Sequence, residues 1–229
     1  GQYNTTVGYA SLGANTTGIH NTAVGYLALV ANTIGKENIA IGYSSFRLNT
    51  TGNYNTVMGT NAMYSNTTAS YNVAIGQNAL YANTTGQFNT AVGFESLKAN
   101  TIGVHGIAVG AYALLNNTTG NYNTAVGWEA LKTNTVGSWN LAIGRTALTL
   151  NTTGTLNTAI GNAALGQNTI GSWNVAVGQA ALYANTTGYS NTAVGYETLQ
   201  ANTIGFDNVA VGREALELNT TGGYNTAIG

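Results

Sequence analysis

The sequence predicts an all-β fold, a parallel β-solenoid (β-roll) of 17-residue coils. Three observations predict it. Glycine recurs at 8, 25, 42 and every seventeenth residue to 229, without exception. Asparagine followed by threonine recurs at 15, 32, 49 and on to 219 with the same spacing. A second asparagine series runs from Asn4 to Asn225 and is broken only by Gly106. A fixed period of this length marks a stacked architecture, in which one unit cannot bury its own apolar face and needs neighbours above and below.

With Asn21 as position 1, one unit reads Asn-Thr-Ala-Val-Gly-Tyr-x-Ala-Leu-x-x-Asn-Thr-Thr/Ile-Gly-x-x. Thirteen units and eight residues fill 1–229 as a single repeat domain, with no linker and no shift in composition. The chain starts on Gly1 and stops mid-unit at Gly229, which reads as a segment of a longer fibre.

The elements follow in order along the unit. Asn21-Thr22-Ala23-Val24 is a short β-like segment. Gly25 then opens one turn and Gly35 a second, each read as a residue supplying positive φ. Between them lies a longer segment, Ala28 to Ile34, that must bend. It is either a strand with a bulge or carries one short helical turn over Ala28–Asn32, in which case Glu95/Lys98 and Glu129/Lys132 form i,i+3 pairs. Position 4 holds only Val, Ile or Met (Val24, Ile41, Met58) and position 9 is Leu apart from Phe46 and Met63; with Leu29 these form the expected core line. Positions 3 and 8 are small and allow close approach of another backbone. Asn21, Asn32, Thr33 and Asn38, with Gly25, Gly35 and Gly42, are the expected structural ladders, since identical amides stacked every ~4.8 Å can bond up and down a stack.

A second period of 34 residues runs inside the first. The residue before the second glycine and the one five residues later change together: Ile34/Ile39, Ile102/Ile107 and Ile170/Val175 alternate with Thr51/Thr56, Thr85/Thr90 and Thr153/Thr158. Thr68/Val73 alone is mixed. One coil per 17 residues is the preferred reading; one coil per 34 is the alternative.

Charge narrows the function classes. Only 6% of residues are charged and the net charge is −1, so there is no basic surplus to neutralise phosphates and no nucleic-acid partner is expected. Cysteine is absent, and no run of 18 apolar residues exists to insert in a membrane. All thirteen charged side chains fall at positions 6, 7, 10, 16 or 17. Those positions are expected to face solvent, and the charge-poor remainder to be covered by copies of the chain.

The segments Asn38-Ile39-Ala40-Ile41-Gly42 and Asn72-Val73-Ala74-Ile75-Gly76 resemble the core motif of trimeric autotransporter adhesin (YadA-like) heads. The fuller pattern, as in Asn123-Thr124-Ala125-Val126-Gly127, looks like the Asn-Thr-Ala-x-Gly arrays of phage tail-fibre-like proteins. The resemblance covers the whole chain. It implies a homotrimer, an extracellular, cell-surface or virion location, and a position-3 row (Ala23, Ala40, Ala74) facing the trimer axis.

No chemistry-bearing constellation competes with that reading. His20 and His105 are five units apart, ~24 Å on 17-residue coils, too far to share a metal. Glu197 and Glu214 share position 7 of adjacent units but sit beside Arg213 on a convex face. No catalytic residue, metal or cofactor is expected. Aromatic residues at positions 6 and 17 are the candidate surface contacts: Tyr26, Tyr43, Trp128 and Tyr196, and Tyr54, Tyr71, Trp139 and Trp173. They either pack across coils or stack on cell-surface glycans. The expected function is a non-enzymatic, self-assembling structural fibre or adhesin segment. The alternatives are an end-to-end filament subunit and an ice-binding solenoid carrying the row Thr16, Thr33, Thr50.

Overall fold

The computed structural model describes residues 1–229, and it is a parallel β-solenoid. Each coil contributes one three-residue strand. The chain forms two compact units, 1–119 and 120–229. The first carries β1 (Thr5–Val7), β2 (Thr22–Val24), β3 (Ile39–Ile41), β4 (Thr56–Met58), β5 (Val73–Ile75), β6 (Thr90–Val92) and β7 (Ile107–Val109). The second carries β8 (Thr124–Val126), β9 (Leu141–Ile143), β10 (Thr158–Ile160), β11 (Val175–Val177), β12 (Thr192–Val194), β13 (Val209–Val211) and β14 (Thr226–Ile228).

Within each unit the register is set by the repeat. Residue i faces residue i+17: Thr22 with Ile39, Ala23 with Ala40 and Val24 with Ile41 in the first, Thr158 with Val175 in the second. One coil therefore holds 17 residues, and the 34-residue alternation is a property of the side chains laid over it.

The strand alternation places position 3 inward and positions 2 and 4 outward. Ala23, Ala40 and Ala74 are wholly buried inside their own coils, so the expectation that this row faces a trimer axis is corrected. Position 4 is corrected as well: Met58 is 38% exposed and Ile143 38%, on the outer face of the sheet rather than in the core. The coil is narrow. Leu29 and its equivalents, Leu80, Leu131 and Leu182, reach across it, and positions 3 and 8 opposite them are small, alanine in most coils with Val57, Ser45, Ser96 and Thr198 in others. Each such buried leucine contributes about 1.5–3 kcal/mol.

No helix forms. Positions 6 to 11 run as consecutive turns, closed by bonds such as Asn32 N to Leu29 O, 3.3 Å, and Tyr81 N to Asn78 O, 3.3 Å. The helical-turn alternative is therefore set aside, and so is a second strand in this segment. The i,i+3 pairs exist all the same. Lys98 Nζ lies 2.7 Å from Glu95 Oε1 and Lys132 Nζ 2.7 Å from Glu129 Oε1, bridging the ends of a turn.

The turns place their strain in unexpected residues. Gly25 has φ +137°, but Gly35 is not in the left-handed region. Positions 7, 9 and 17 are, as at Leu27 (55°), Leu29 (53°) and Glu37 (55°), and this holds in every coil. A left-handed L-residue costs roughly 1–2 kcal/mol in isolation. It persists where surroundings over-determine it, and here position 9 is held by the buried leucine stack and by Leu148 N donating to Ala164 O at 3.0 Å.

Candidate functional site

The chemistry of the interior is amide chemistry. At position 12, Asn49 Nδ2 donates to Asn32 Oδ1 of the preceding coil at 2.9 Å and to Gly52 O of its own coil at 3.2 Å. At position 1, Asn38 Oδ1 accepts from both the backbone N and the Nδ2 of Asn55, at 3.0 and 3.1 Å, while Asn38 Nδ2 donates to Gly52 O at 2.8 Å. The carbonyl of Gly52 thus takes two amides and clasps the two ends of its coil together. The same arrangement closes the coil at Gly35, from Asn21 at 2.8 Å and Asn32 at 3.0 Å. A Cβ on Gly35 would collide with Asn32 Oδ1 and Gly52 O unless they shift, so space and not φ favours glycine there. Thr33 extends the ladder by donating Oγ1 to Thr50 O at 3.1 Å. These asparagines are buried, and a buried amide stabilises only when its donors and acceptors are met.

At Gly106 the position-1 series lacks its side chain. The backbone N of Gly106 still donates to Asn89 Oδ1 at 2.8 Å, but no amide follows it.

The outer surface carries the aromatic rows, and the rings stack mainly on one another. Tyr26 lies on Tyr43 with centroids 5.3 Å apart, Tyr54 on Tyr71 at 5.1 Å, and Tyr71 on Phe88 at 5.1 Å. Trp139 lies on Tyr122 at 4.1 Å. Two others are covered by guanidinium groups from the next coil: Arg145 over Trp128 at 5.1 Å and Arg213 over Tyr196 at 5.3 Å. Of the eight candidate contacts, Trp173 alone has neither a ring nor a guanidinium over it. Its row neighbours are Leu156 and Ser190, and it is 59% exposed.

The charged groups all stand in solvent or half in it. Arg213 Nε donates to Glu214 Oε1 at 2.9 Å. The Tyr196 phenol is held above its ordinary range, first by its hydrogen bond to Glu197 and then by that carboxylate's charge. Arg213 is likewise raised by its bond to Glu214. Glu214 is thus engaged by Arg213. No three His, Asp or Glu side chains converge as metal ligands, and no helix is long and apolar enough to cross a membrane. The surface depression between His20, Thr22, Glu37 and Ile39 is an open groove.

Sequence reasoning missed the outer sheet face. Its signal lies in the alternation of apolar and threonine pairs, whereas a wholly apolar position 4 reads as core. Comparison with known protein families and with curated proteins finds no match.

Proposed function

We propose that the chain is a structural fibre segment of the adhesin or tail-fibre type: a self-assembling, extracellular solenoid that supplies reach and repeated surface display. One observation carries it. The clasp of two asparagines on one glycine carbonyl recurs from coil to coil, linked to the next coil by amide ladders, so each unit is a regular stack with its specific interactions spent on holding coils together. Glycan contact, on this reading, falls on Trp173, since a sugar ring stacks on an open aromatic face. The ice-binding reading is less favoured, because the Thr33 and Thr50 hydroxyls donate to the next coil's carbonyls instead of facing water as free donors.

Sedimentation velocity with electron microscopy tests it. Elongated particles of fixed stoichiometry support the fibre, and particles lengthening with concentration support the end-to-end filament. A monomer at every concentration contradicts both.

A further inference from the structure

The surface of this solenoid has a longer period than its fold. Along position 2, residues alternate without exception from Thr22 to Thr226: Thr22, Ile39, Thr56, Val73 and onward. The backbone does not follow. Ile34 N donates to Thr50 O at 3.3 Å, and Thr51 N donates to Thr67 O at 3.3 Å in the next coil. Strand register is the same in apolar and threonine coils. Inside one chain the alternation stacks threonine on isoleucine, valine or leucine, apart from Thr5 on Thr22, where like on like throughout would serve as well or better. A pattern that the fold does not use is read by something outside the fold, and its reader must share the 34-residue period.

The same face is apolar throughout its neighbouring row. Position 4 is Val, Ile or Met in every coil, with Ile75 37%, Val109 37% and Ile160 36% exposed. The alternating row is open too, with Ile39 40%, Ile107 42% and Val209 41% exposed. None of the thirteen charged residues lies at position 2, 4 or 14. Seven strands of three residues give each unit roughly 340 Å² of strand face.

We propose that the outer face of the sheet, positions 2 and 4, is where a second copy of this chain docks, and that the alternation at position 2 sets the axial register between copies. This rests on the self-assembling reading given above. A second copy is the partner that carries the same 34-residue period and an equally uncharged face. In register, apolar coils meet apolar coils and threonine coils meet threonine coils. A slip of one coil sets every apolar residue of position 2 against a hydroxyl, so shifted pairings are disfavoured.

The test is sedimentation equilibrium on the full chain and on three variants. The double variant Ile75→Lys, Ile160→Lys puts one charge on the face of each unit. The control Gln179→Lys puts charge at position 6, where Arg145 and Arg213 already stand. The third variant changes the apolar residues of position 2 to threonine. Circular dichroism and thermal unfolding verify that each folds. The expected result is that the original chain and the control associate alike, that the double variant loses association by tenfold or more, and that the all-threonine variant folds normally but loses its fixed stoichiometry. Association that survives the double variant overturns the interface and leaves self-assembly standing. A monomeric original chain overturns both. Lowered stability of the all-threonine variant under conditions where it is monomeric shows that the alternation serves the fold, and overturns the register device.

Discussion

The side-chain amide of Asn151 donates to the side-chain carbonyl of Asn134, one coil back, at 2.9 Å. The same Nδ2 donates to Gly154 O at 3.0 Å, and Asn151 Oδ1 accepts from Asn168 at 2.9 Å. Both roles of the amide are in use, in a buried place.

Asn151→Asp keeps the shape and removes the donor. The new carboxyl faces two acceptors, Asn134 Oδ1 and Gly154 O, so its folded-state pKa rises above the ~3.9 of the unfolded chain. A raised carboxyl pKa favours the fold in the protonated form. The variant is therefore closest to the original below the unfolded pKa and loses stability as pH rises through the folded value. At neutral pH the loss is about 3 kcal/mol. Urea unfolding at acid and neutral pH measures it, and a penalty independent of pH contradicts the donor role.

Ser45 Oγ is buried with no hydrogen-bond partner. At the same place in other coils Ser96 Oγ donates to Gly93 O at 3.1 Å, and elsewhere the residue is alanine, as at Ala130. Ser45→Ala removes an unmet hydroxyl and should raise stability by about 1 kcal/mol. An unchanged or lower urea midpoint would show the hydroxyl to be satisfied.

The two glycines of a coil answer substitution differently. Gly178 has φ +139°, and a Cβ there would collide with Gly195 O, which is backbone. Gly178→Ala should cost more than about 2 kcal/mol. Gly171 lacks the positive φ, and its coil equivalent Ala69 already carries a Cβ. The strain at Ala69 is visible: Asn66 Nδ2 stands 3.4 Å from Ala69 O and Asn83 Nδ2 3.5 Å from Asn66 Oδ1, against about 2.9 Å for each in the next coil. Gly171→Ala should cost about 1 kcal/mol, a weakened ladder bond. Equal costs at the two glycines would contradict the assignment of one to φ and the other to space.

The aromatic rows divide by whether a ring is covered. Tyr71 stacks on Tyr54 and Phe88 at 5.1 Å each, so Tyr71→Ala should lower stability by about 1 kcal/mol. Trp173→Ala loses no stacked ring and should stay within about 0.5 kcal/mol. If Trp173 meets glycans, that substitution lowers binding to immobilised oligosaccharides while the melting temperature holds.

Period, strand position and coil length are legible in the sequence because glycine and asparagine sit at places where other residues cost the stack its bonds: a crowded Cβ at Gly35, a two-way amide at Asn32. The direction of Val24 and Ala23 is not. Assigning the larger apolar residue inward assumes a roomy interior, and in this one Leu29 leaves room only for small residues such as Ala23 and Ala28. Hydrophobic residues inside is a one-way rule. The left-handed leucines are equally illegible, since leucine has no local preference for that region and is held there by its neighbours.

The central claim is that one 17-residue coil stacks in register on the next. Nuclear Overhauser contacts along the alanine row test it most directly. Strong contacts are expected linking Ala142 to Ala159 and Ala159 to Ala176, partners seventeen residues apart in the sheet. Contacts between residues thirty-four apart, such as Ala142 and Ala176, with none at seventeen, would contradict it.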